Sequence, residues 1–209
     1  MEVIKFFQTG GPFMYPILVV MAIGFAISIE RFLYLSSTFR KTKNIWSQLT
    51  PMLKANDFQR AHQFTHKSKT ALATVLNYGF ARQRVNAKRE LVESAFEAGI
   101  MEVMPELEQR THYLATFANV ATLLGLLGTI IGLIQAFTAV AGAEAAQKAD
   151  LLSASISVAM NTTAFGLIVA IPLILTASYL NNKTAKLVEV LEMSAVKCLN
   201  LMDEQQVAK

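Results

Sequence analysis

The sequence has 209 residues, of which 53% are hydrophobic and 16% are charged. It is too apolar for an ordinary soluble domain, but it carries too much charge to consist only of membrane helices. The net charge of +4 follows from a segregation of basic residues that a membrane orientation explains, so it does not indicate binding to nucleic acid.

The first apolar run ends abruptly at Glu30-Arg31, and we predict a first transmembrane helix over residues 13–35. A cleavable signal peptide is disfavoured for two reasons. Lys5 is the single basic residue before the run, and the charged pair Glu30-Arg31 lies where a cleavage site of small residues is expected. Residues 1–12 are predicted to form an interfacial segment. We expect Glu30 and Arg31 to form a local ion pair at the membrane edge.

Residues 36–112 form a polar segment that reads as a helical domain. Asn56-Asp57 is a candidate N-cap of a helix that runs to about His66, and a second helix is expected from Thr70 to about Arg84. A longer helix leads from there into the second apolar run, with a kink expected at Pro105.

Two later stretches, residues 113–141 and 151–180, contain no Asp, Glu, His, Lys or Arg. Each exceeds the roughly 20 apolar residues that span a bilayer core. The short polar segment 142–150 between them is predicted to be a tight turn outside the membrane. Helical periodicity continues through the tail, residues 181–209. The chain is therefore predicted to be an all-α integral membrane protein with three transmembrane helices and long helical extensions.

The distribution of Lys and Arg sets the orientation. The segment 36–112 and the tail 181–209 hold most of these residues, whereas the opposite side holds only Lys5 and Lys148. We therefore predict a cytoplasmic location for the polar segment and the C-terminus. The N-terminus and the turn 142–150 are predicted to be periplasmic.

Small and hydroxylated residues recur at alternating spacings of three and four along the second and third spans, which marks a helix face that another helix can approach closely. Pro172 also frees a backbone carbonyl of its own helix. The residues predicted to form this packing seam are Ala118, Thr122, Gly125, Gly128, Gly132, Ala159, Gly166, Ala170 and Pro172.

The densest polar cluster in any span is Asn161-Thr162-Thr163. Unsatisfied polar groups are costly in hydrocarbon, so we expect this cluster to face protein or water. For any single threonine, a bond to its own helix backbone is the favoured alternative.

The missing charge limits the function. A proton relay through a membrane generally needs an ionisable group near its centre, and spans two and three supply none. Either the chain conducts nothing, or the titrating group belongs to another polypeptide. No nucleotide-binding loop or catalytic constellation is present, so no enzyme activity and no cofactor are expected. His62 and His66 lie one turn apart without a third ligand nearby, and a solvated helix surface is favoured over a metal site.

Two motifs resemble the MotA/TolQ/ExbB proton-channel family: GLLGTIIGL at residues 125–133 and TTAFGLIVAIP at residues 162–172. The three-span plan and the large cytoplasmic segment also fit, and the resemblance is closer to the ExbB/TolQ branch than to the four-span MotA branch. It implies a homo-oligomeric ring, typically a pentamer, in the bacterial inner membrane. The ring surrounds ExbD- or TolR-like single-span partners that carry a membrane aspartate.

The resemblance further implies that Thr129 and Thr163 line the pore, and we add Thr162 and Asn161 as candidates beside them. Many relatives have a glutamate where this chain has Val158, so a path through that carboxylate is not expected here. Protons are the implied coupling ion, and sodium is left open because hydroxyl and carbonyl oxygens can coordinate it. The alternatives are a passive membrane scaffold for a partner helix and, more weakly, a solute channel.

Overall fold

A computed structural model describes residues 10–55, 57–144 and 146–207 of the chain. The described residues form helices and no strands, which confirms the all-α prediction. The six helices are α1 (Met14–Lys54), α2 (Phe58–His66), α3 (Ala71–Val85), α4 (Arg89–Glu108), α5 (Thr111–Ala141) and α6 (Lys148–Val207). Most of the predicted interfacial segment, residues 1–9, lies outside the described part of the chain.

Three stretches of helix are long and apolar enough to cross a membrane. The predicted spans 113–141 and 151–180 fall within α5 and α6, and the predicted span 13–35 begins one residue before α1 and otherwise falls within it. Helices α1 and α6 continue far beyond their predicted spans, since α1 has 41 residues and α6 has 60. At 1.5 Å per residue, α6 is about 90 Å long.

The predicted N-cap is confirmed at Asp57, whereas Asn56 lies outside the described residues, and the predicted start of the next helix at Thr70 is confirmed as well. The Asp57 side chain accepts a hydrogen bond from the Arg60 amide at 3.0 Å, and α2 begins at the next residue. The Thr70 hydroxyl accepts one from the Ala73 amide at 3.4 Å at the start of α3. Both bonds satisfy backbone donors that have no partner within the helix.

The kink expected at Pro105 stays a prediction. Helix α4 continues through Pro105 and ends at Glu108. The chain breaks at Gln109 and Arg110, where Arg110 has a φ of 63° and ends the helical path. A proline this close to a helix end removes a single hydrogen bond, whereas a left-handed residue redirects the backbone.

The chain divides into two compact units. The first contains the described residues up to Glu30 together with Arg110–Tyr179. The second contains Arg31–Gln109 and the described residues from Leu180 onwards. In the second unit, α3 and α4 form a close hairpin, in which Gly99 lies against the Val75 backbone.

Candidate functional site

In the first unit, α5 and α6 pack closely through glycine and alanine. A side chain at Gly125 would place its Cβ 3.2 Å from the Thr163 Cα, and one at Gly166 would place it 2.7 Å from the Ala121 carbonyl oxygen. At Gly132 the nearest atom would be the Ala159 Cβ, also at 2.7 Å. The two backbones are therefore in near-contact, as small residues permit in membrane helices.

The structure places most of the predicted packing seam at this contact. Ala118, Gly125, Gly128, Ala159, Gly166 and Ala170 are buried, and Gly132 and Pro172 are partly exposed. Thr122 differs: it is exposed, and the buried position beside it is Ala121. The spacing of small residues therefore predicted the face of α5 that packs against α6, except at Thr122, which lies beside this face.

The threonine hydroxyls bond to backbone carbonyls. Thr129 donates to the Leu126 carbonyl at 2.6 Å and Thr122 to the Ala118 carbonyl at 3.1 Å, both within α5. Thr163 donates across the helix contact to the Gly125 carbonyl at 2.8 Å. A hydroxyl has one proton, so in each case the remaining capacity is that of an acceptor.

Thr162 lies inside the unit. Its side chain is 2% exposed, and its hydroxyl is within hydrogen-bonding distance of the Gly10 carbonyl (2.6 Å) and the Val158 carbonyl (3.1 Å). The structure therefore assigns Thr162 to internal packing, and a pore-lining role does not fit its burial. Its neighbour Asn161 is partly exposed.

Thr129 and Thr163 share one flank of the α5–α6 pair. On the other flank, a side chain at Gly128 would contact Thr162 and would lie 3.4 Å from the Phe13 Cβ, so N-terminal residues cover it. Thr163 is about 100° around α6 from Thr162, and Thr129 is about 100° around α5 from Gly128. Both are partly exposed, in contrast to their buried neighbours.

Charged residues border the spans at Glu30 and Arg110, which form an ion pair with a distance of 3.2 Å between the Arg110 Nη1 and a Glu30 carboxylate oxygen. The expected pair of Glu30 with Arg31 stays a prediction. Sequence reasoning missed Arg110, because no local pattern links residues so far apart in the chain.

In the second unit, Arg31 is almost completely buried, at 1% exposure. Its guanidinium donates to the Glu106 carbonyl at 3.1 Å and to the Leu107 carbonyl, at the C-terminal end of α4. It also lies 4.7 Å from the centroid of the Tyr34 ring. A cation at the C-terminus of a helix satisfies free carbonyls and complements the helix dipole.

Of the histidine pair on α2, His66 is exposed as expected, and His62 is not fully solvated. His62 is partly buried, with its ring 5.9 Å from the Phe80 ring and 6.0 Å from the His66 ring. Burial, followed by the charges of Arg84 and His66, lowers the pKa of His62 below its ordinary value. Among the described residues, no group of three or more His, Cys, Asp or Glu residues is placed to hold a metal ion.

Comparison with known families gives a match to the MotA/TolQ/ExbB proton channel family over residues 67–193. This match covers more than half of the chain, including both small-residue motifs. The chain belongs to the MotA/TolQ/ExbB proton channel family.

The relatives found come from the ExbB and TolQ branches of this family. A putative biopolymer transport protein ExbB homolog of Methanothermobacter thermautotrophicus is 28% identical over 197 residues, which are 91% of this chain and 67% of the relative. The biopolymer transport protein exbB1 of Vibrio cholerae is 33% identical over 44% of this chain and 41% of its own length. The Tol-Pal system protein TolQ of Haemophilus influenzae is 39% identical over 36% of this chain and 32% of its own length.

Val158 is the position at which the resemblance described above implies a glutamate in many members of the MotA/TolQ/ExbB family. Val158 is partly buried, and its Cγ1 would lie 3.4 Å from a Cβ placed on Gly11, which has a φ of 78°. The site at this end of α6 is thus apolar.

Proposed function

We propose that this chain is the ring subunit of an ion-driven complex in the bacterial inner membrane. Several copies, with five as the expected number, surround a single-span partner of the ExbD or TolR kind that carries a membrane aspartate. Residues 36–112 and 181–209 lie in the cytoplasm, and the N-terminus lies in the periplasm. Ion passage from the periplasm is coupled to mechanical work that the partner performs there.

The observation that carries this proposal is the flank formed by Thr129 and Thr163. Spans two and three lack ionisable groups of the usual relay kind, and these two hydroxyls lie on the side of the α5–α6 pair away from the described N-terminal residues Gly10 and Phe13. A hydroxyl that accepts from a protonated carboxyl and donates to an ionised one can serve a visiting aspartate in both states.

The membrane potential provides the energy for such a step. Moving one elementary charge through 100 mV yields about 2.3 kcal/mol. Losing one hydrogen bond costs about 0.5–1.5 kcal/mol. The potential therefore exceeds the cost of rearranging one threonine hydroxyl.

The test uses the complete complex with its partner, in cells or in proteoliposomes with an imposed proton gradient. Thr163→Val and Thr129→Val remove the hydroxyl at nearly constant volume, and we expect each to reduce gradient-driven work at least tenfold. Thr163→Ser keeps the hydroxyl and should retain most of the activity. Running the assay with a sodium gradient in place of the proton gradient identifies the coupling ion.

Thr138→Val is the matched control. Thr138 is also an exposed threonine of α5, and its hydroxyl donates to the Ile134 carbonyl at 2.8 Å, but it lies on a different side of the helix from Thr129. We expect Thr138→Val to leave the work unchanged. Full activity of both Thr129→Val and Thr163→Val would remove the threonines from the mechanism.

A passive scaffold is the second candidate, and one observation favours it: the hydroxyls of Thr129 and Thr163 already have carbonyl partners within the chain. A scaffold needs only the packing of small residues. It would hold a partner equally well when the partner's membrane aspartate is replaced by asparagine, and it would show no ion current in either case.

A further inference from the structure

The second unit carries an open groove between α4 and the C-terminal part of α6, with a volume of about 500 Å³. Its lining is mostly apolar, and part of it is open to solvent: Met101 is 71% exposed and Val196 is 51% exposed. Three exposed glutamates, Glu93, Glu97 and Glu192, also line it. An exposed apolar surface bordered by charge is typical of a protein interaction site.

The same unit carries a basic face on α1. Arg40, Lys43 and Lys54 are exposed and lie on one side of the helix. The opposite side, which includes Ile45 and Leu49, is buried. The groove is lined by residues of α4 and α6, so the basic face and the acidic groove are separate surfaces of the unit.

The hydrogen bond between α1 and α4 gives a reference point from which positions along the two helices can be compared. Arg31 near the boundary of the unit bonds to the Leu107 carbonyl, and from this point α1 and α4 run in opposite directions along the chain. Arg40 and Lys43 lie about as far along α1 from Arg31 as Glu97 lies along α4 from Leu107.

A second hydrogen bond, between α1 and α6, allows positions along these two helices to be compared in the same way. The Lys183 ammonium donates to the Ser36 hydroxyl, and α1 and α6 run in the same direction from there. Lys43 then lies within about one helical turn of the level of Glu192.

We propose that the acidic groove of one copy receives the basic face of α1, Arg40 and Lys43, from the next copy. This inference rests on the proposed function, in that it takes the chain to form a ring. A ring relates its copies by rotation about one axis, so two different surfaces can meet around it only when they lie at the same level. The aliphatic stems of Arg40 and Lys43 cover the apolar lining, and their charges reach the glutamates.

A charge swap tests the contact. Lys43→Glu and Glu97→Lys each place like charges across it, and each should raise the concentration at which purified rings dissociate in detergent by about fivefold or more. The double variant restores opposite charges between neighbours and should restore the wild-type value. Raising the salt concentration should weaken the wild-type ring in the same direction.

Lys54→Glu is the matched control, because Lys54 lies on the same face of α1 but about 16 Å further along the helix. It carries the same change of charge and should leave dissociation unchanged. Equal effects of Lys43→Glu and Lys54→Glu would overturn the proposal, as would a double variant that stays as weak as the single ones.

Cross-linking provides an independent measurement. A chain with both Lys43→Cys and Glu97→Cys should form a ladder of disulfide-linked oligomers on oxidation, whereas each single variant should not. The native Cys198 is buried and does not compete. Absence of the ladder from assembled rings, as expected if a different protein occupies the groove, would overturn the proposal.

These measurements are made without the partner, so they are independent of ion coupling. Rings that depend on Lys43 and Glu97, but whose Thr129→Val and Thr163→Val variants work normally, would reject the proposed function and keep the contact. If the charge changes do not affect ring dissociation, but both threonine variants lose gradient-driven work, the contact is rejected and the proposed function is kept.

Discussion

At Gly166, the contact between α5 and α6 leaves no room for a side chain, and no side-chain movement can make room. A Cβ there would lie 2.7 Å from the Ala121 carbonyl oxygen and 3.1 Å from the Gly125 Cα. Both atoms belong to the backbone, so relief requires the helices to separate. Overpacking of this kind costs about 1–3 kcal/mol, and the higher helix propensity of alanine returns at most about 1 kcal/mol. We therefore expect Gly166→Ala to lower the free energy of unfolding by about 1–2 kcal/mol.

The assay is unfolding of the purified protein in detergent micelles by increasing denaturant, followed by circular dichroism and by a fluorophore attached near the helix contact. Gly142→Ala is the control, because a Cβ at Gly142 has nothing within 4 Å and its φ is −96°. It should leave the midpoint within experimental error of the wild type. A Gly166→Ala midpoint equal to that of Gly142→Ala would show that the helices do not approach as closely as the structure has them.

Two other substitutions remove arginine side chains, Arg31 of the second unit and Arg110 of the first. Arg31→Met leaves the Glu106 and Leu107 carbonyls without their donor and should cost about 2–3 kcal/mol in the same titration. Arg110→Met, which removes an exposed ion pair, should cost less than about 1 kcal/mol. Burial raises the pKa of Cys198 to about 12 from an ordinary value of 9.0, so the folded state holds the thiol proton more tightly than the unfolded state. Stability should be complete below about pH 9 and should fall as the pH rises towards 12, more steeply than in Cys198→Ala. Equal pH slopes for the two proteins would contradict this reasoning.

Local signals predicted the start of each short helix. Asp57 and Thr70 were identifiable because a capping side chain bonds to an amide within three residues, so the evidence for it lies in adjacent sequence. The spans followed from the absence of charge over lengths that only a bilayer requires. In both cases the determining interactions are either local or made with the solvent.

Interactions between distant segments could not be predicted in the same way. The break at Arg110 was not predicted, because nothing in the neighbouring sequence indicates a left-handed arginine. The burial of Thr162 was also missed, since its partner, the Gly10 carbonyl, lies far away in the chain. Composition identified the cluster around Thr162 and Thr163, but only the packing of α5 and α6 separates the buried member from the one on the open flank.

This separation gives the proposed mechanism a specific chemical asymmetry. The Thr163 hydroxyl donates its proton to the Gly125 carbonyl, so it is ready to accept a hydrogen bond from a protonated partner acid without rearrangement. To donate to the ionised acid it must first rotate away from Gly125, at a cost of about 0.5–1.5 kcal/mol. The resting flank therefore favours the protonated form of the visiting acid. When the partner acid loses its proton, the Thr163 hydroxyl must rotate towards it. When the acid is protonated again, the hydrogen bond between Thr163 and the Gly125 carbonyl can form again. In this view the carbonyl of Gly125 takes part in the cycle, because it accepts the hydrogen bond of the Thr163 hydroxyl in one of the two states and loses that bond in the other.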